Sequence, residues 1–353
     1  MNELLLLDTP LASPILGIGE LMERNPALNP PVVDGLLRRG EIANLVAAPK
    51  VGKTWATMQL ALAVQSGTEW LGFQCAKGNV LYDDLELHAS VSASRFPRVA
   101  AAMGLEAADW AGLRVLNERG AMRGIEGLES RVVSGELQQL DLSLIVIDAW
   151  YRALPKDCDE NANGDVMQVY NRLDAIAADL GCAILLVHHT TKGVAANAAR
   201  ATTDLGAGAG AQSRAADAHI AIRPLKFPGA YGISAVVRSW PAVKPFAVSW
   251  EFPVFKVNKG LADVAEEYEG RKSKPSPKIG TAEVAKLIPT MLDPARPVSK
   301  RELADAVMER YALSERKAYE SIRRAETDGA IYFARRKGQP RGKQSTLFAF
   351  AAK

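Results

Sequence analysis

The chain has 353 residues, 48% hydrophobic and 24% charged, which is enough apolar content to bury a full core and excludes a globally disordered protein. That length exceeds one average domain and argues for two. Net charge is only +3, yet residues 271–353 hold 19 Lys+Arg against 9 Asp+Glu, a net of +10 that leaves −7 for residues 1–270.

Residues 1–30 carry Pro10, Pro14, Pro26 and Pro30 and read as an irregular arm with one short helix over Ile18–Arg24. The run Leu4–Leu7 is too short for a membrane span and has no basic flank or small-residue cleavage pattern, so a cytoplasmic chain is expected. Cys75, Cys158 and Cys182 are far apart and show no metal-ligand spacing, which argues against disulfides and zinc.

From Glu41 the pattern alternates. Strands are expected at Ile42–Ala47, Asn79–Tyr82, Leu113–Leu116, Leu144–Ile147 and Ala183–Val187. Between them, an amphipathic helix is expected over Thr54–Ser66, helices over Ala89–Met103 and Val166–Leu180, and part of a helix over Gly127–Gly135. The strands are continuous apolar runs, the signature of a parallel sheet covered on both faces, so the fold class is α/β. Strands at His219–Arg223, Ile233–Val237 and Ala247–Phe252 read as an antiparallel edge. The domain scheme is an arm (1–30), an ATPase-type body (31–262), a charged Lys/Pro linker (263–280) and a tail domain (281–353). The tail shows helices over Thr281–Met291, Lys300–Arg310 and Glu315–Thr327, then strands Ala330–Ala334 and Ser345–Phe350. Ser299 with Glu302 forms a capping box, and Ser314 caps the third helix. Three helices and a hairpin make a winged helix-turn-helix.

The segment Ala47-Ala48-Pro49-Lys50-Val51-Gly52-Lys53-Thr54 follows a strand and opens a helix, as a phosphate-binding loop does. Ala47 stands where the pattern has its first glycine, away from the closest approach to phosphate. Loop amides from Ala48 to Trp55 would cradle the phosphates, Lys53 would reach the β- and γ-phosphates, and Thr54 would ligate Mg²⁺. Such a site needs a second carboxylate at the end of an apolar strand, and Leu142–Asp148 supplies Asp148. For the group that activates water, Glu86 is the first choice, with Asp83 and Asp84 as alternatives at the same strand end. His189, with His188 second, is the expected sensor of the γ-phosphate. A metal on these adjacent histidines is disfavoured, because neighbouring positions on a strand face opposite ways.

The order of these motifs, together with Pro31–Gly40, Val80–Glu86, Ile147-Asp148 and Val187–Lys192, resembles the RecA-like ATPases of the RepA-like branch, the hexameric replicative helicases of plasmids and phages. The resemblance covers about residues 31–252. It implies a RecA-like P-loop NTPase core with ATP and Mg²⁺ as cofactors, Glu86 as catalytic glutamate and Asp148 as metal carboxylate. A homo-oligomer, expected as a hexameric ring, would take an arginine finger from a neighbour. Arg238 is the first choice for that finger, with Lys244, Arg223 and Arg214 competing. The loop after Pro155 and the stretch 192–214 resemble channel loops that touch single-stranded DNA, with Lys192, Arg200 and Arg214 as phosphate contacts. Those loops hold few aromatics for base stacking.

In the tail, Arg316, Lys317, Arg323 and Arg324 on the expected recognition helix, and Arg335, Arg336, Lys337, Arg341 and Lys343 in the wing turn, form a basic footprint for duplex DNA. The expected activity is that of a DNA-dependent ATPase, a RepA-like replicative helicase or helicase-like ATPase. The alternative is an ATP-switched DNA-binding regulator that does not unwind.

Overall fold

The computed structural model describes residues 15–190, 202, 211–265, 284, 298–311, 315–334 and 348–351. The chain divides into two units, Met1–Lys272 and Ser273–Lys353.

The first unit opens with α1 (Ile18–Arg24), β1 (Pro31–Val33), β2 (Leu37–Arg38), β3 (Ile42–Ala47) and α2 (Lys53–Ser66). Next come β4 (Glu69–Trp70), β5 (Phe73–Gln74), β6 (Asn79–Asp84), α3 (Ala89–Ala102), α4 (Ala107–Trp110) and β7 (Arg114–Asn117). They are followed by α5 (Gly124–Val133), β8 (Leu142–Asp148), α6 (Trp150–Ala153), α7 (Asn163–Leu180) and β9 (Ala183–His189). The unit closes with α8 (Ala211–Ala215), β10 (Ala218–Pro224), β11 (Ala230–Val237), β12 (Phe246–Glu251) and β13 (Val254–Val257).

Nine of these strands form one sheet in the order β13-β12-β11-β10-β3-β9-β8-β6-β7. The run from β10 to β7 is parallel, and β11, β12 and β13 add antiparallel to its edge. β3 and β8 are buried along their whole length, as continuous apolar runs require. Alternation splits their side chains between two cores. Leu144 and Val146 pack with α2 on one face, and Ile145 and Ile147 pack with α5 and α7 on the other. This mainly parallel α/β sheet, layered on both faces, is a RecA-like fold.

Four expectations need correction. The helix after the phosphate loop is not amphipathic. α2 is buried without a break from Ala56 to Gln65. Its outer side is covered by Trp70, whose indole N–H donates to the Ala56 carbonyl at 3.0 Å, and by β13, whose Phe255 backbone bonds both ends of the Gln59 amide at 3.0 Å. α5 spans Gly124–Val133, so the helix that holds the expected segment stops short of Gly135, whose φ is 75°. The Glu118 carboxylate accepts the Arg123 and Gly124 amides at 2.9 and 2.8 Å and satisfies the helix start from outside it. β6 runs on to Asp84, because its pairing with β8 continues to Asp84–Asp148. β12 stops at Glu251, and the chain turns back as β13, a strand the apolar pattern does not announce.

In the second unit, α9 (Lys300–Tyr311) and α10 (Glu315–Thr327) precede an antiparallel pair, β14 (Ile331–Ala334) and β15 (Phe348–Ala351). The capping box forms as expected: the Ser299 amide donates to Glu302 at 2.8 Å, and the Glu302 amide donates to the Ser299 hydroxyl at 3.2 Å. Ala318, Ile322 and Ala325 of α10 are buried in a small core with Leu303, Ala304 and Val307. The expected helix over Thr281–Met291 (apart from residue 284), the cap Ser314, and Lys192, Arg200, Arg335, Arg336, Lys337, Arg341 and Lys343 lie outside the described residues. No described helix is long and apolar enough to cross a membrane.

Candidate active site

Parallel pairing aligns the carboxyl ends of the central strands. Ala47 of β3 pairs with His189 of β9, and Asp148 of β8 pairs with Asp84 of β6. The residues beyond these ends therefore gather at one edge of the sheet, where α/β folds build their sites.

The loop between β3 and α2 turns through Lys50, at φ 65°, and Gly52, at φ 99°. A Cβ on Gly52 would meet the Phe255 ring at 3.1 Å, so both conformation and space favour glycine. The amide ends of α2 point into the loop, a favourable setting for anions. Lys53 is buried and donates to the Ala47 and Ala48 carbonyls at 3.0 and 3.1 Å. Burial lowers its pKa to about 8, against the opposing pull of Asp148 and Glu86.

Asp148 is buried and accepts the Tyr82 hydroxyl at 2.9 Å, while Tyr82 also bonds Thr57 at 2.8 Å. The Thr54 hydroxyl bonds Asp148 as well, and burial raises the Asp148 pKa to about 6. Thr54 and Asp148 are thus adjacent hard oxygen donors, a set that suits Mg²⁺. No group of three His, Cys, Asp or Glu among the described residues could hold a metal alone, so phosphate and water oxygens would complete the shell.

Glu86 is half-buried. Its Oε1 accepts the Tyr151 hydroxyl at 2.9 Å and lies 3.5 Å from His189 Nε2. The His189 contact, then the Tyr151 bond, hold its pKa below the usual range despite burial. Its alternatives are occupied elsewhere. Asp84 accepts the Glu86 and Leu87 amides at 3.1 and 2.8 Å and the Ser92 hydroxyl at 2.6 Å, which fixes the turn. Asp83 is fully buried, with no hydrogen bond to either oxygen, and burial with nearby Glu118 raises its pKa to about 8.

The two histidines separate as strand alternation requires. His188 is buried against Trp150 and shares the Asn44 amide oxygen (3.0 Å) with Tyr170 (2.8 Å); burial lowers its pKa to about 3. His189 faces the site.

These groups line one cavity of about 310 Å³, formed by Lys50 to Trp55 with Glu86, Asp148 and His189. Ala48 and Pro49 sit in the same loop outside its wall. Arg95, Tyr231 and Trp250 complete the lining, and the sequence reading missed them. They belong to an aromatic cluster. The Trp55 ring lies 5.3 Å from Phe252 and 6.4 Å from Trp250, and the Arg95 guanidinium sits 4.5 Å from the Trp55 centroid. Only the unusual density of aromatics over Trp250–Phe255 could have signalled it. Tyr151 and Arg152 were missed too, although they follow Asp148 closely.

The finger candidates fall on different edges. Arg238 lies at the opposite end of the sheet from its own chain's phosphate loop. It pairs with Asp217 at 2.9 Å and donates to the Arg214 carbonyl at 2.9 Å, and Asp217 in turn accepts the Ile42 amide at the start of β3. Arg223 is buried one residue past Ile222, which pairs with Ala47, and donates to Thr202 at 3.4 Å. Lys244 and Arg214 are exposed.

A family model for the AAA domain matches residues 10–195, more than half of the chain. Among solved structures, the ATPase domain of G40P is 13% identical at a TM-score of 0.50, covering 69% of this chain and 96% of that one. A KaiC-like protein from the hyperthermophilic archaeon Pyrococcus horikoshii OT3 is 13% identical at a TM-score of 0.44, covering 64% of this chain and 93% of that one. The RadB recombinase is 15% identical at 0.44, covering 63% and 92%. By its sequence match, its sheet order and its phosphate loop, the chain belongs to the AAA domain family and has the fold of a RecA-like P-loop ATPase.

Proposed function

We propose that the chain is an ATP-hydrolysing, DNA-binding motor of the RepA-like replicative helicase type, working as a ring-forming homo-oligomer. The observation that carries the reading is the convergence of Lys53, Thr54, Glu86, Asp148 and His189 on one cavity. In this reading the loop amides and Lys53 bind the β- and γ-phosphates. Lys53 leaves the Ala47 and Ala48 carbonyls for phosphate oxygens and regains there the charge partner that burial denies it. Trp55, Trp250 and Tyr231 offer stacking faces for the base. Thr54 and Asp148 would hold Mg²⁺, which neutralises charge on the phosphates when bound. Glu86 takes a proton from the attacking water, and His189 donates to the γ-phosphate. Arg238 of a neighbouring subunit is the proposed source of the remaining positive charge. If Lys53→Ala hydrolyses ATP at the parental rate, this assignment is wrong.

DNA binding rests on charge placement. On α10, Arg316, Lys317, Arg323 and Arg324 are exposed while Ala318, Ile322 and Ala325 face the core. A winged helix presenting that face would contact duplex phosphates. This basic face also favours the second reading, an ATP-switched regulator that binds duplex DNA without unwinding it. Strand displacement on a forked substrate separates the two: DNA-stimulated hydrolysis without displacement leaves only the regulator. Removing residues 274–353 should weaken duplex binding and flatten its salt dependence; unchanged duplex affinity would remove the wing from the account.

A further inference from the structure

Glu86 is held at one oxygen. Both Tyr151, from α6, and His189, from the end of β9, approach Oε1, and among the described residues Oε2 makes no hydrogen bond. The Tyr151 hydroxyl has one proton and two lone pairs. Arg152 Nε donates to that hydroxyl at 2.9 Å and occupies a lone pair, so the proton is directed to Glu86. The turn beneath is pinned as well. Arg119 donates to the Glu86 carbonyl at 2.7 Å, and the Leu85 amide donates to the Asp148 carbonyl at 2.7 Å. The Tyr151 ring also lies 5.5 Å from the His189 ring, so one side chain touches both polar groups at this end of the cavity. The charged and titratable groups around the Glu86 carboxylate are Lys53 from α2, Asp148 from β8, Arg152 from α6 and His189 from β9.

We propose that Tyr151, directed by Arg152, is the positioning residue for Glu86, clamping Oε1 so that Oε2 stays free and oriented for water. This rests on the reading of Glu86 as the base. The clamp has a specific logic. A carboxylate on a turn can rotate about its terminal torsion, and proton transfer demands a fixed direction at hydrogen-bond distance. Tyr151 does not meet the nucleotide in this account. Its loss should therefore lower turnover and leave nucleotide affinity alone.

The test uses the full chain with ATP and Mg²⁺, measuring steady-state and single-turnover hydrolysis. Tyr151→Phe removes the hydroxyl and keeps the ring on His189. The expected result is a fall in kcat of about 5-fold, with KM for ATP within about 2-fold. In a Glu86→Gln background, the same substitution should cause no further loss, because its effect runs through the carboxylate. Arg152→Gln should lower kcat in the same direction, which supports the relay even if Tyr151→Phe folds poorly. The proposal is overturned if Tyr151→Phe matches the parent while Glu86→Gln is inactive, if KM rises in step with the loss, or if the loss is equal in both backgrounds. A fully active Glu86→Gln chain would overturn the base assignment itself, and the clamp with it.

Discussion

The two halves of the sheet serve the cavity differently. The parallel strands β3, β6, β8 and β9 end at one edge and deliver charged and polar groups there: the phosphate loop, Glu86, Asp148 and His189. The antiparallel strands β11 and β12 deliver aromatic faces, Tyr231 and Trp250, with Phe252 and Phe255 packed behind. The parallel half sets its residues by strand ends, so each one sits just past an apolar run. The antiparallel half sets its residues by register. Tyr231 pairs with Pro224, two positions beyond the level of Ala47, so this edge overhangs the phosphate loop and can wall its cavity. If this division is real, substitutions in the parallel half should change turnover and those in the antiparallel half should change affinity.

The largest effect is expected in the parallel half. Glu86→Gln should lower kcat by about 100-fold or more, the usual range for losing a general base, while a nucleotide analogue still binds. Phosphate release and equilibrium binding measure the two quantities, and loss of both together would break the comparison. Next, Trp250→Ala should weaken nucleotide binding about 10-fold, as expected for one stacking face, with kcat within about 2-fold. A turnover defect there would mean that the aromatic wall takes part in chemistry.

Gly52→Ala tests the junction of the halves, because its new Cβ would press on Phe255 from a left-handed backbone. A destabilisation of about 1–3 kcal/mol is expected from such strain, read as a lower Tm. An unchanged Tm would show that the loop and β13 are not in contact. The last effect appears only as pH changes and concerns Asp83, which lies in the parallel half but outside the cavity. A free aspartate ionises near pH 4 and the folded one at about 8. Parental stability should therefore fall across that interval, because the folded state keeps a proton that the unfolded state has released. Asp83→Asn cannot lose that proton, so its Tm advantage should grow from pH 4 to 8. Parallel melting curves for the two chains would refute the burial of an unpartnered carboxyl.

Much of the parallel half is legible in the sequence. Ile42–Ala47, Leu142–Asp148 and Ala183–Val187 are apolar runs whose shortness fits a strand buried on both faces. The glycine, lysine and threonine at 52–54 mark the phosphate loop, because that spacing between a strand and a helix presents amides, ammonium and hydroxyl together. The sequence reading failed where a side chain's surroundings come from distant segments. α2 lacks amphipathic periodicity because Trp70, just after the helix, and Phe255, almost two hundred positions on, cover its outer face. Asp83, Asp84 and Glu86 are three carboxylates at one strand end in the sequence, with Glu86 the first choice and no local rule that separates their surroundings. In space one is buried alone, one fixes the turn, and one faces the cavity.

The sequence by itself determined the class of fold and marked the phosphate loop. Both follow from local rules: side-chain period, strand length, and the residue types that can bind phosphate and Mg²⁺. Tertiary structure alone decided which carboxylate meets the cavity, which histidine is core, and which aromatics wall the site. Those outcomes depend on sheet register and on contacts between residues more than a hundred positions apart, such as His188 with Asn44. A shift of one residue in any paired strand would turn each of these side chains to the other face.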